Sequence, residues 1–266
     1  MDYYSSLIYG IVQGLTEFLP VSSSGHLGIL PKLLNIHPPG VVFDLAMHVG
    51  TALAVSVYFK KDLKELFKSA IKLNFRRSTW NPGQLLAVNM ILSTIVTVVF
   101  AFIIKDLAMT YRSVEIISFN LIGFGLLMWV SDLIGSKNVD SVMDKTGSGS
   151  KAILIGLSQV LALFPGVSRS GITLTAARFM NLSRDEASRY TFVLSLPLII
   201  GGFIMKLPEF ISSKQSFSIS ISLFGMFVSF IVGLLTIHLF LKIISKIGLS
   251  FFSIYRIILG AALLIF

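Results

Sequence analysis

Residues 85–104 (LLAVNMILSTIVTVVFAFII) contain no charged side chain. An apolar run of about 20 residues is what a helix needs to cross the hydrocarbon core of a bilayer. Five further stretches read the same way, at 43–59, 114–132, 190–206, 218–241 and 249–266. Two more, near 7–34 and 152–182, are apolar but broken in the middle by Pro, Gly and Ser, and each half is too short to cross alone. Composition agrees with a membrane chain. Apolar residues make up 54% and charged residues 13%, against roughly 25% charged in an average soluble domain.

The N-terminus does not read as a signal peptide. Met1-Asp2-Tyr3-Tyr4 has no basic segment, and Gln13 and Glu17 interrupt the run that follows. Without cysteine, disulfides, thiolate metal sites and cysteine nucleophiles are excluded. The formal charge of +9 would suggest nucleic acid in a soluble protein. Here the basic residues lie between apolar runs, which points to membrane topology and anionic lipid instead. Lys60, Lys61, Lys64, Lys68, Lys72, Arg76 and Arg77 follow the first span, Lys137, Lys145 and Lys151 the third, and Lys242 and Lys246 the fifth. The opposite loops hold Lys32, Lys105, Arg112, Lys206 and Lys214. Cytoplasmic loops carry the excess of Lys and Arg, so twelve against five puts the first set inside and both chain ends outside.

The chain also repeats itself. Gln13-Gly-Leu-Thr-Glu-Phe-Leu-Pro-Val-Ser-Ser-Ser-Gly25 aligns with Gln159-Val-Leu-Ala-Leu-Phe-Pro-Gly-Val-Ser-Arg-Ser-Gly171 at an offset of 146. Three candidate spans follow each copy. Three is odd, so the second half enters the bilayer from the opposite side, which makes an inverted-topology repeat. The expectation is therefore an all-α integral membrane protein of one domain, 1–266. It has six transmembrane helices and two re-entrant helical hairpins, with halves of about 1–146 and 147–266 joined near Gly147-Ser148-Gly149-Ser150. Non-helical backbone at membrane depth must be buried in protein or line a cavity. Two such tips meeting near the midplane would build a polar site, with the N–H groups of new half-helices aimed into it as an anion site.

The tips carry the reactive side chains. Gln13 and Glu17, four apart, share a helix face. A carboxylate within a membrane is costly, about 3 kcal/mol on insertion scales, so Glu17 reads as a cation ligand or acid/base group. The bland alternative is an Arg-paired carboxylate used for packing. Oxygen ligands suit Mg²⁺ or Ca²⁺. Ser22, Ser23, Ser24 and His26 can bind phosphate oxygens or supply a nucleophile, with His26 as base or as the attacking group. The bland alternative is that the serines cap a half-helix. Arg169, between Ser168 and Ser170, is a bidentate phosphate partner unless it snorkels to the surface, and Thr173 adds a hydroxyl one turn on. Asp44, His48, Asn89, Asn120 and Arg256 are candidates for a supporting shell. His238 reads as a satisfied core histidine. Arg184, Asp185, Glu186 and Arg189 read as a solvated helix start capped by Ser183.

Other signatures are absent. Gly166-Val-Ser-Arg-Ser-Gly171 has P-loop-like glycine spacing but is followed by Ile172-Thr173, and there is no His-Glu-x-x-His.

Gln13-Gly-Leu-Thr-Glu-Phe-Leu-Pro-Val-Ser-Ser-Ser-Gly-His26 resembles the (Glu/Gln)-x-x-x-Glu motif and Ser/His run of the undecaprenyl-diphosphate phosphatases, the bacitracin-resistance family. Pro165-Gly-Val-Ser-Arg-Ser-Gly-Ile-Thr173 resembles that family's Pro-Gly-x-Ser-Arg-Ser-x-x-Thr motif. Order, separation and length extend the likeness over essentially the whole chain. The resemblance implies hydrolysis of a polyprenyl diphosphate to the monophosphate and phosphate at the outer face of the plasma membrane. It also implies a divalent cation near Gln13 and Glu17, and roles around the diphosphate for Ser22, Ser23, His26, Ser168, Arg169, Ser170 and Thr173. Gln13 stands where many members have Glu, which removes a charge from the metal site. The expected partners are the lipid substrate and membrane lipids, with a homodimer left open and no nucleic acid. A transporter or flippase for a polyprenyl phosphate is the main rival, because inverted repeats and broken helices are typical of transporters. A second rival, the lipid phosphatases with Ser-Gly-His and Ser-Arg motifs, is disfavoured because no His follows Ser168-Arg169 at short spacing. A structural scaffold leaves the polar tips unexplained.

Overall fold

The computed structural model describes residues 2–34, 40–74, 76–111, 113–135, 148–212 and 218–265. Arg112, Lys137, Lys145, Gly147 and Lys214, used above to assign topology and the junction of the halves, lie outside them. Among the described residues there are eleven α-helices and no strand.

Each broken stretch is two helices. The first gives α1 (Tyr3–Thr16) and α2 (Ser23–Leu34); the second gives α7 (Ser148–Val160) and α8 (Arg169–Phe179). The breaks share one geometry at the offset of 146. Ser22 and Ser168 both take positive φ, 75° and 70°, a conformation uncommon for a residue with a side chain. Each Oγ accepts from the N–H three residues on, Gly25 at 3.3 Å and Gly171 at 3.1 Å. Each also sits 3.2 Å from the hydroxyl of the serine two residues on, Ser24 and Ser170. Both hydroxyls therefore cap the helix that follows.

Between and after the hairpins run α3 (Val41–Tyr58), α4 (Lys60–Ile71), α5 (Pro82–Thr110), α6 (Val114–Ile134), α9 (Arg184–Ser212), α10 (Ile219–Ile247) and α11 (Ser250–Ile265). Four of these, α5, α6, α9 and α10, are long and apolar enough to cross a membrane. Helix α3 meets that measure only together with α4, from which it is bent by 80°. Helix α11 has 16 residues, about 24 Å at the helical rise, short of the roughly 30 Å hydrocarbon core.

Helix α4 departs from the loop expected there. Its lysines, Lys60, Lys61, Lys64 and Lys68, are exposed. Leu63 and Leu66 recur at helical spacing and pack against the core, so the segment folds as an amphipathic helix rather than a loop. Lys105, Lys206, Lys242 and Lys246 likewise lie inside helices that outrun their apolar segments.

Helix α1 packs on α10 and α3, α7 on α5, and α6 on α11. Small residues permit this closeness. A Cβ at Gly10 would stand 2.8 Å from the Gly225 carbonyl on α10, and one at Gly156 would stand 2.7 Å from the Ser93 carbonyl on α5. Beneath the first tip lies a chain of aromatic edges. Phe18 meets Phe192 at 5.4 Å, Phe192 meets Phe240 at 5.6 Å, and Phe240 meets Phe252 at 5.4 Å. Asp132 at the end of α6 accepts from Arg184 Nε and Nη2 at 2.8 Å and from the Leu249 N–H at 2.9 Å, and Arg178 stands 3.3 Å away. Arg184 does open α9, but its side chain pairs with a buried carboxylate instead of standing in solvent. Ser183 does cap α9 through the Glu186 N–H, and Asp185 with Arg189 forms an exposed pair. His238 is exposed beside Tyr58, 3.4 Å away, so it is not a core histidine.

Candidate active site

The two tips meet, and Glu17 is where they do. It caps α1, with its N–H bonded to the Gln13 carbonyl at 3.0 Å. Its side chain is 4% exposed. One carboxylate oxygen, Oε2, accepts from Gln13 Nε2 at 3.0 Å and from the Ser23 hydroxyl at 2.9 Å. The other, Oε1, faces Arg169 Nη2 at 3.3 Å. His48 on α3 brings Nε2 to 3.8 Å of Oε2, with its Nδ1 donating to the Asp44 carbonyl at 2.8 Å. Asp44 thus orients His48 through its backbone. The carboxylate is both Arg-paired and in contact with the candidate nucleophile, so the packing and chemical readings of Glu17 converge on one residue.

The internal offset makes this asymmetry legible. Ser23 and Arg169 are equivalent positions in the two copies, as are Glu17 and Leu163. Both copies point that position at the single carboxylate. The two similar breaks therefore share one carboxylate among the described residues.

The other motif residues join the tips. Ser24 Oγ accepts from the Gly166 N–H at 3.4 Å, and Ser170 Oγ donates to the Leu19 carbonyl at 3.1 Å. Thr173 is buried and donates to the Arg169 carbonyl at 2.8 Å, within its own helix. Arg169 is a quarter exposed and also reaches the Ser195 carbonyl at 3.4 Å. Gly166, at φ 89°, lies so close to α6 that a Cβ would stand 2.5 Å from the Ile117 carbonyl.

Behind the tips, Arg256 of α11 is wholly buried. Its guanidinium donates to the Gly166 and Val167 carbonyls at 2.9 Å each and to Pro20, Asn120 and Leu121 at 3.4 Å. One side chain therefore grips backbone from both breaks. Asn120 adds a bond to the Pro165 carbonyl at 2.8 Å. Asn89 lies elsewhere, its carbonyl accepting from Tyr190.

His26 directs its hydrogen bonds away from Ser23. Its Nδ1 donates to the Ser22 carbonyl at 2.8 Å, and its Nε2 lies 2.6 Å from the Tyr255 hydroxyl. Tyr255 escaped the sequence reading, since its partner is 229 residues away and only the adjacent Arg256 stood out in that apolar run.

Among the described residues no group of three or more His, Cys, Asp or Glu is gathered to hold a metal. One observation does fit a hard cation. Gln13 Oε1 is buried without a hydrogen-bond partner beside the Glu17 carboxylate. An amide oxygen and one carboxylate suit an ion bound largely through substrate phosphate oxygens.

A family model described as bacitracin resistance protein BacA matches residues 6–262. The chain belongs to this family. The match spans both motifs, all eleven helices in whole or part, and the Tyr255-Arg256 pair. With that membership and its long apolar helices, this bacitracin-resistance protein is a multi-pass membrane protein. The likeness seen in the two motifs extends over residues 6–262.

Proposed function

We propose that the protein is an integral membrane phosphatase. It hydrolyses undecaprenyl diphosphate, or a related polyprenyl diphosphate, to the monophosphate and inorganic phosphate, recycling the lipid carrier for cell-envelope glycan synthesis. The observation that carries this reading is the single buried carboxylate, Glu17, contacted by a hydroxyl from one motif and a guanidinium from the other. A transporter needs binding groups; a hydroxyl hydrogen-bonded to a buried base is more than binding requires. The two halves sit in opposite orientations in the plasma membrane, and the site opens to its outer face.

Arg169 and the N–H groups at the starts of α2 and α8 bind the diphosphate and oppose the charge that grows on its transferred phosphoryl group. Gln13 and Glu17 would hold Mg²⁺ or Ca²⁺, which supplies charge neutralisation of the diphosphate. Ser22, Ser24, Ser168, Ser170 and Thr173 shape the tips that receive the phosphates. Ser23 Oγ attacks the terminal phosphorus, its proton passes to Glu17, and the bond to the bridging oxygen breaks to release the lipid monophosphate. A water then attacks the phosphoserine, its proton passing to the Tyr255 oxygen as the Tyr255 proton passes to His26 Nε2. The Ser23 oxygen leaves phosphorus and regains its proton from Glu17. Ser23 is favoured over His26 as nucleophile because its hydroxyl already donates to Glu17, whereas both His26 nitrogens are engaged elsewhere.

The test is phosphate release by detergent-purified protein from a C55 polyprenyl diphosphate, with and without Mg²⁺ or Ca²⁺, beside Glu17→Ala. Metal-dependent release that falls at least ~10²-fold in the variant is expected, with acid-quenched label on Ser23. No release from folded protein across several polyprenols would move the assignment to a lipid-phosphate transporter.

A further inference from the structure

We propose that Tyr255 is a positioning residue for His26. Its hydroxyl donates to Nε2, the nitrogen that the Ser22 contact leaves unprotonated, and so fixes where that nitrogen's lone pair points. The catalytic consequence rests on the phosphatase reading above; the hydrogen bond itself does not.

Three observations carry it. The first is the tautomer. His26 Nδ1 is 2.8 Å from the Ser22 carbonyl, and a carbonyl only accepts, so Nδ1 bears the hydrogen. In the neutral ring Nε2 is then an acceptor, and its 2.6 Å partner, the Tyr255 hydroxyl, must donate. The second is the ring geometry. The two rings lie 3° from parallel with centroids 5.7 Å apart, so the imidazole is restrained in plane as well as at both nitrogens. The third is exposure: Tyr255 is 41% exposed, so its hydroxyl is not sealed in a core that would force a pairing. Burial does not demand this bond; the placement of α11 does. The next residue, Arg256, binds backbone carbonyls of both breaks, so Tyr255 is held in register with the tips that carry Ser23 and Arg169.

An imidazole free to turn about its ring bond would present either nitrogen to a phosphoserine. Tyr255 removes that freedom. Its hydroxyl also relays the water proton during hydrolysis of the phosphoserine, taking it on oxygen as its own proton passes to Nε2.

Imidazole ¹⁵N NMR of the full-length protein in detergent tests the placement without turnover, with the His26 signals identified by their loss in His26→Asn. The wild type should show Nδ1 protonated and Nε2 unprotonated and hydrogen-bonded. In Tyr255→Phe, which keeps the ring, the Nε2 resonance should move toward that of a free pyridine-type nitrogen. A wild-type ring protonated at Nε2, or an Nε2 resonance unmoved in the variant, overturns the proposal. In the activity assay Tyr255→Phe should lower kcat about tenfold, the worth of one net hydrogen bond, with KM within about twofold. Unchanged kcat, or a loss confined to KM, overturns the positioning role. Absence of phosphatase activity in the wild type would instead sink the functional reading, leaving the NMR result to decide the hydrogen bond.

Discussion

Glu17 faces a guanidinium and a hydroxyl at once, and the two contacts can be separated by experiment. Arg169→Ala leaves a buried carboxylate without its cation. Breaking a buried pair from one side costs roughly 3 kcal/mol, so this variant should melt earlier in detergent as well as lose turnover. Glu17→Gln combined with Arg169→Ala removes both charges. The double variant should recover most of the lost melting temperature and none of the phosphate release. If activity returned with stability, the pair would be a packing device and the chemistry would lie elsewhere. Ser23→Ala should leave the melting temperature nearly unchanged and abolish phosphoryl-enzyme in quenched reactions, while His26→Ala should let that species accumulate. Every one of these side chains was readable from the sequence as polar residues out of place in apolar stretches. Their pairing was not, because Glu17 and Arg169 belong to different motifs and only the packing of the two hairpins brings them together.

The helices were legible to the extent that their signals are local. Pro20 with Ser22 to Ser24, and Pro165 with Gly166, break their stretches where the backbone in fact turns. Helix α4 was missed because its lysines dominate the composition, while the Leu63 and Leu66 spacing that makes it a helix is carried by few residues. The tight junction of α3 with α10 is invisible in either sequence alone. Ser229 donates to the Met47 carbonyl at 2.8 Å, and Gly50 lies against the same turn of α10, where a Cβ would run into the Met226 carbonyl and the Ser229 hydroxyl. Gly50→Ala should therefore force the helices apart and cost about 1–3 kcal/mol, read as a lower melting temperature. Because α3 carries His48, turnover should fall too. A variant as stable as wild type would show that this contact has room to relax.

Orientation follows from charge rather than from packing, and the lack of any cysteine makes it simple to measure. Single cysteines at Lys64 and Ser150 should react with an impermeant maleimide only from the cytoplasmic side. A cysteine at Tyr111 should react only from outside. Labelling of Lys64→Cys from outside would reverse the assigned topology and, with it, the side on which the substrate is met.

The partnership of α1 with α10 also has a consequence for how the protein is made. Translation delivers the first hairpin early, yet the surface it packs on emerges about 200 residues later, a wait of some 10–40 s at ordinary elongation rates. For most of that interval Gln13 and Glu17 lack Arg169, and for all of it they lack a finished pocket. The hairpin synthesised first must therefore be among the last parts to settle into the membrane.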